Sequence, residues 1–163
     1  MIYNDKTTPF EADKPMVSES GDTRWYNSTG HLHRANGPAK IYQDGSTEWC
    51  RNGWYHRIGG PAIEWVDGTK EWWIDGQRHR LGGPAVVLPD GTEEWWIYGW
   101  LHRLDGPAVI HQDGSCSWWV NGRCHRDDGP AVEYPDGRKE WWLHGKQVDE
   151  LTVWLSGGVK ECV

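Results

Sequence analysis

Five His-Arg pairs stand in this sequence, His33-Arg34, His56-Arg57, His79-Arg80, His102-Arg103 and His125-Arg126, each 23 residues after the one before. Imidazole ligates metals and moves protons near neutrality, and guanidinium grips carboxylates and phosphates. Five identical copies, however, make a column rather than a centre. Strands lie about 4.8 Å apart, so equivalent residues in units of two strands stand roughly 10 Å from each other. Metal ligands must all lie close to about 2 Å from the ion, so these histidines cannot share one. His31, His111 and His144 fall outside the pattern and have no ligand spacing of their own. No nucleophile elbow, Walker loop or H-E-x-x-H motif accompanies them. Neither catalysis nor a cofactor is expected.

The elements that carry these pairs repeat with the same phase. Gly-Pro-Ala begins at Gly37, Gly60, Gly83, Gly106 and Gly129, Asp-Gly at Asp44, Asp67, Asp90, Asp113 and Asp136, and a Trp recurs at 49, 72, 95, 118 and 141. A strict period of this length argues for stacked units, each burying its apolar face against its neighbours. Within a unit, Ala62 to Val66 and Thr69 to Ile74 are short runs joined by Asp67-Gly68, a hairpin signal of the type I′ kind. A two-residue loop would set Ile63 opposite Trp72 and Glu64 opposite Glu71. Ile63, Trp65, Trp72 and Ile74 would then face the core, with Ala62, Glu64, Glu71 and Trp73 on the other side.

A second turn signal follows at Asn52-Gly53, Asp75-Gly76, Tyr98-Gly99, Asn121-Gly122 and His144-Gly145. Its arithmetic pairs Trp95 with His102 and Glu94 with Arg103, and likewise Arg57 with Glu48 and Arg80 with Glu71. Cross-strand ion pairs of this kind support a scaffold role for the arginines, with each His donating to a carbonyl near the Gly-Pro bend. Arg126 would face Ser117 instead, and Asp149 stands where the next Arg would be.

The fold class expected is all-β: a single-domain array of stacked antiparallel hairpins over residues 25 to 147, closed by a C-terminal cap over 148 to 163. Residues 1 to 24 match no part of the unit and form either a loosely ordered arm or an N-terminal cap. Asp149 as a capping residue, apolar residues at 148, 151 and 155, and Gly157-Gly158 as a stop predict one short helix covering the last strand edge.

Composition narrows the function classes. Twenty-four acidic residues against 17 basic ones give a formal charge of -7, which argues against a phosphate-tracking nucleic-acid binder. Fourteen Trp against one Phe imply a core built largely from indoles. The four cysteines, at 50, 116, 124 and 162, share no repeat position and no C-x-x-C spacing, and read as reduced thiols. With no secretory leader and no stretch of membrane-spanning length, a cytoplasmic protein is expected, without a membrane partner.

The order Trp, Gly, His, glycine bend, Asp-Gly resembles the MORN repeat, with Gly99 to His102 and Gly76 to His79 at its spacing. That resemblance implies stacked hairpins. The chain departs from it in placing Arg after the His and in inserting Gly-Pro-Ala, so lipid or membrane roles are not carried over. His-Arg-x-x-Gly-Pro-Ala followed by Asp-Gly and Trp, over roughly residues 30 to 145, is similar to short-repeat proteins of bacteriophages and large DNA viruses. This implies a viral origin, an accessory role in the host cytoplasm, and no particular activity.

Two binding readings are open. A second indole column, Trp73, Trp96, Trp119 and Trp142, lies opposite the core in the expected register. It either packs on Gly-Pro-Ala of the next coil or forms an exposed aromatic row beside Glu71, Glu94 and Glu140. Trp54, Tyr55, Tyr98, Trp100 and His111 occur only in their own copies and are the candidates for specificity. The first reading is a non-enzymatic protein that lays this aromatic and acidic face on a host defence protein and inhibits it. The second is a sponge for a small nucleotide-type ligand, stacked on indoles and held by an unpaired Arg126. Carbohydrate stacking and self-association through the Trp row are the remaining options.

Overall fold

The computed structural model describes residues 14–156. They fall in two compact units that divide between Arg78 and His79. In the first, β1 (Met16–Val17), β2 (Thr23–Arg24), β3 (Lys40–Ile41) and β4 (Thr47–Glu48) are followed by the hairpin β5 (Cys50–Arg51) and β6 (Trp54–Tyr55). Then come β7 (Ile63–Glu64), β8 (Lys70–Glu71) and the hairpin β9 (Trp73–Ile74) and β10 (Gln77–Arg78). The order β1-β2-β3-β4-β7-β8 makes one antiparallel ladder, from which β5-β6 and β9-β10 project as two-stranded hairpins.

The second unit repeats the plan. Its strands are β11 (Val86–Val87), β12 (Glu93–Glu94), β13 (Trp96–Ile97), β14 (Trp100–Leu101), β15 (Val109–Ile110), β16 (Cys116–Ser117), β17 (Trp119–Val120), β18 (Arg123–Cys124), β19 (Val132–Glu133), β20 (Lys139–Leu143) and β21 (Lys146–Val148). The ladder is β11-β12-β15-β16-β19-β20-β21, and β13-β14 and β17-β18 project from it. The expected all-β array of antiparallel hairpins is what the chain forms.

The second turn signal reads as expected. Asn52, Asp75, Tyr98, Asn121 and His144 all have φ between 46° and 51°, and the glycine after each is also positive, as type I′ requires. Trp96 pairs with Leu101, and His102 donates its backbone N–H to the Trp95 carbonyl at 3.0 Å.

The first turn differs. Ile63 pairs with Glu71 and Glu64 with Lys70, one residue away from the expected register. The loop has three residues, not two: Trp65 N–H reaches the Thr69 carbonyl, Gly68 N–H reaches the Trp65 carbonyl, and only Gly68 of the Asp-Gly pair has positive φ. This is a type I turn followed by a left-handed glycine. The longer loop lets Asp67 keep an ordinary backbone and accept the Thr69 N–H at 2.8 Å, a bond repeated at Asp44, Asp90, Asp113 and Asp136.

A one-residue shift exchanges faces. Lys40, Glu48, Ile63 and Glu71 stand opposite one another along the first ladder, and Val86, Glu94, Val109, Ser117, Val132 and Glu140 along the second. The carboxylates placed on the outer face thus share the Ile and Val side, and Glu48 is buried there with Tyr42 Oη donating to it at 2.5 Å.

Full burial belongs to small residues rather than indoles. Ala39, Ala62, Ala85, Ala108 and Ala131, each closing a Gly-Pro-Ala, are wholly buried beside Ile63, Val86 and Val109, whereas Trp25 is the one Trp buried among the described residues. Cys50 and Cys124 are buried free thiols, pushed up to about 12 and about 11, mainly by loss of hydration.

The helix α1 (Glu150–Ser156) packs on β20. Asp149 caps it, Oδ1 accepting the Thr152 N–H at 2.7 Å. Its inward residue is Val153; Leu151 and Leu155, whose spacing signalled the helix, are exposed. The glycine stop at 157 and 158 lies outside the described residues, as does Cys162.

Candidate functional site

Arg57 and Arg103 are paired with other carboxylates than the expected Glu48 and Glu94, because each leaves the ladder after its His. Arg57 N–H donates to the Trp73 carbonyl and Arg103 N–H to that of Trp119. Each side chain then folds back over the first Trp of its own copy. Arg34, Arg57, Arg103 and Arg126 hold their guanidinium carbons 3.9 to 4.1 Å from the ring centroids of Trp25, Trp49, Trp95 and Trp118. Nη1 of each donates to the proline carbonyl four residues on. Glu64, Asp105 and Asp128 supply the carboxylates in place of Glu48 and Glu94. Arg126, expected to be unpaired, is the most heavily occupied: Asp128 at 2.7 Å, Glu133 at 2.9 Å, Pro130 O and the Trp118 ring. Its Nε and Nη1 are taken up by these partners, and two carboxylates match its charge.

The histidines also differ from expectation. Nδ1 accepts a hydrogen bond, from the backbone N–H of the first residue of the following tip: His33 from Asn52, His56 from Asp75, His79 from Tyr98, His102 from Asn121 and His125 from His144. The rings of His79 and Tyr98 stack at 4.1 Å, and those of His125 and His144 at 4.3 Å. An acceptor nitrogen must be unprotonated, whereas the same Nδ1 also lies 2.9 Å from Asp75 Oδ1 at His56 and from Asn121 Oδ1 at His102.

Burial holds His79 below the usual histidine range, and burial together with His144 does so for His125 against the opposing pull of Asp127. A lowered folded pKa means the unfolded chain takes up the proton first. Stability is therefore whole above about 6.5, the unfolded value, and falls as pH drops through it until the lowered folded values are passed. The urea midpoint should accordingly decline from pH 7.5 to 5.5, with part of the decline removed in His79→Gln; a midpoint flat over that interval would contradict it.

The indole column of Trp73, Trp96, Trp119 and Trp142 is neither a bare row nor a buried core. All four are half-buried, and each Nε1 donates to the residue two before it: Glu71, Glu94, Ser117 and Glu140, at 2.7 to 3.1 Å. Tyr55 packs at 5.4 Å from Trp73, with its hydroxyl pushed up to about 12 by burial and Glu48. These residues form the inner structure of each unit.

Exposure is found at the tips. Trp54 and Trp100 are 64% and 61% exposed, and Tyr98 is 57% exposed. Each of the two indoles lies flat on the glycine of the next tip: a Cβ on Gly76 would stand 2.3 Å from Trp54 Cε3, and one on Gly122 would stand 2.2 Å from Trp100 Cε3. One ring face is thus fixed on backbone and the other is open. Ile58, Leu81 and Leu104, the residues after His-Arg, are also exposed. Of the nine candidates, Trp54, Tyr98 and Trp100 are surface groups, whereas Tyr55, Trp73, Trp96 and Arg126 are committed to internal contacts.

Trp119 and Trp142 additionally line a groove of about 320 Å³ with Gly122, Arg123, Cys124, Val132, Glu140 and Gly145. Arg123 escaped the sequence reading, although it is as copy-specific as Trp54 and Trp100, whose position in the unit it shares. Among the described residues no group of three or more metal-ligating side chains comes together, and no helix is long and apolar enough to cross a membrane.

No family model matches this chain, and no curated protein matches it.

Proposed function

We propose that this chain is a non-enzymatic binding protein that docks on a partner protein through its hairpin tips. The observation that carries the reading is Trp100, seated on Gly122 with its second face open. Exposed Trp and Tyr are the residue types that dominate interface energies, and a ring already immobilised loses little freedom on binding. Trp54 on Gly76 offers the same anchor in the other unit, and Tyr98 widens the tip beside Trp100. A net charge of -7 favours a partner whose indole-sized apolar pocket is rimmed by basic groups. The similarity to viral repeat proteins adds the finer reading: the partner is a host protein of the cytoplasm, a defence protein among them, and occupation of its surface inhibits it.

The test is recovery of the tagged protein from host lysate, with the native mass recorded for the wild type and for Trp100→Ala and Trp54→Ala. An added mass of protein size, lost in the Trp100 variant, is the expected result. An added mass retained in both variants would remove the tips from the interface. A multiple of the chain's own mass would assign the indoles to self-assembly.

A further inference from the structure

Arg123 is the one arginine among the described residues whose side chain makes no hydrogen bond, ion pair or ring contact. The other nine are each engaged. It is exposed, its Cβ and Cγ lie 3.7 and 3.8 Å from where a Cβ on Gly145 would stand, and it lines the groove between Trp119 and Trp142. In a chain that otherwise satisfies its guanidinium groups with carboxylates, carbonyls and indole faces, a free one beside two indoles is unusual.

The groove is chemically divided. Trp119, Trp142, Val132 and the buried Cys124 give it apolar walls, and Gly122 and Gly145 complete its lining. Glu140 already accepts from Tyr134 Oη at 3.0 Å and from Trp142 Nε1 at 2.9 Å. A carboxylate has about four lone-pair sites, so it retains capacity for a donor on a bound ring. Indole walls suit a planar ring, and a guanidinium suits a carboxylate or phosphate.

We infer that the Trp119–Trp142 groove is a binding site for a small planar aromatic anion, its ring between the indoles and its acidic group on Arg123. The site adjoins the tip at Gly122 on which Trp100 is seated, and does not involve Arg126. Its residues all sit in one unit.

Titration calorimetry with adenosine 5′-monophosphate and with indole-3-acetate tests this, adenosine and inorganic phosphate being the half-ligand controls. At least one whole probe should bind, its two halves should bind far more weakly, and Arg123→Gln should weaken it by about tenfold or more. Arg51→Gln, a change at another exposed arginine, should leave affinity unchanged. Val132→Phe, which fills the groove, should abolish binding, with circular dichroism confirming an unchanged fold. Failure of both probes at millimolar concentration, or equal affinity in Arg123→Gln, overturns the assignment.

Discussion

Replacement of Gly122 by Ala is expected to cost about 3 kcal/mol of stability, from two sources that can be separated. The backbone at Gly122 has φ of 72°, where an L side chain is strained by about 1–2 kcal/mol. The new Cβ would also stand 2.2 Å from Trp100 Cε3, so the indole must leave its seat. Gly91 isolates the first source, because its φ is 89° and nothing lies within 4 Å of a Cβ there. Gly91→Ala should therefore cost about 1–2 kcal/mol by the backbone strain alone. In a Trp100→Ala background, Gly122→Ala should fall to that same level. Equal costs for the two glycines with Trp100 present would mean that the indole is not held by this contact. Gly122→Ala should also weaken partner binding as Trp100→Ala does, since it displaces the same ring.

The sequence reveals the array but misplaces its inside by one residue. The 23-residue phase, the positive φ at Asn121-Gly122 and its equivalents, and the Trp95 to His102 pairing are all legible, because type I′ turns have a strict residue requirement. Asp-Gly at 67 and 68 is ambiguous, since it suits both a two-residue I′ loop and a type I turn ending in a left-handed glycine. The deciding signal sits in two other copies. Pro89 and Pro135 precede their Asp-Gly, and proline at the first turn position favours type I. With the three-residue loop in place, Glu71 and Glu94 move to the Ile and Val face.

What no pattern could supply is where the arginines go. Their partners are an indole within the copy and a carbonyl four residues on, neither of which follows from strand alternation. Arg126 was singled out because its expected partner was Ser117, yet Asp128 and Glu133 engage it once the chain bends. Arg123 looked ordinary, and only the contacts of the other nine make it distinctive. Trp54 and Trp100, residues the scaffold does not require, are exposed indoles of the projecting hairpins.

The recurring order Arg-x-x-Gly-Pro has a reason that a double-mutant cycle can expose. A Cβ on Gly60 would stand 2.9 Å from Arg57 Cζ, and the equivalent distances at Gly37, Gly83, Gly106 and Gly129 lie between 2.9 and 3.0 Å. None of these five glycines has a positive φ, so their requirement is space for the guanidinium rather than backbone freedom. Gly60→Ala should push Arg57 off the Trp49 ring and away from Pro61 O and Glu64, both now at 2.9 Å. Loss of a partly exposed charged hydrogen-bond set and a cation–π contact is expected to cost about 2 kcal/mol in urea unfolding. In an Arg57→Ala background the same substitution has nothing to displace. It should then be neutral or stabilising by up to about 1 kcal/mol, through the smaller conformational freedom of the unfolded chain. The change of sign is the diagnostic, and it corresponds to a coupling of about 2–3 kcal/mol between residues three apart in sequence. If Gly60→Ala costs as much without Arg57 as with it, the glycine answers to the backbone, and the Arg-Trp stack is an accompaniment of the bend rather than its cause.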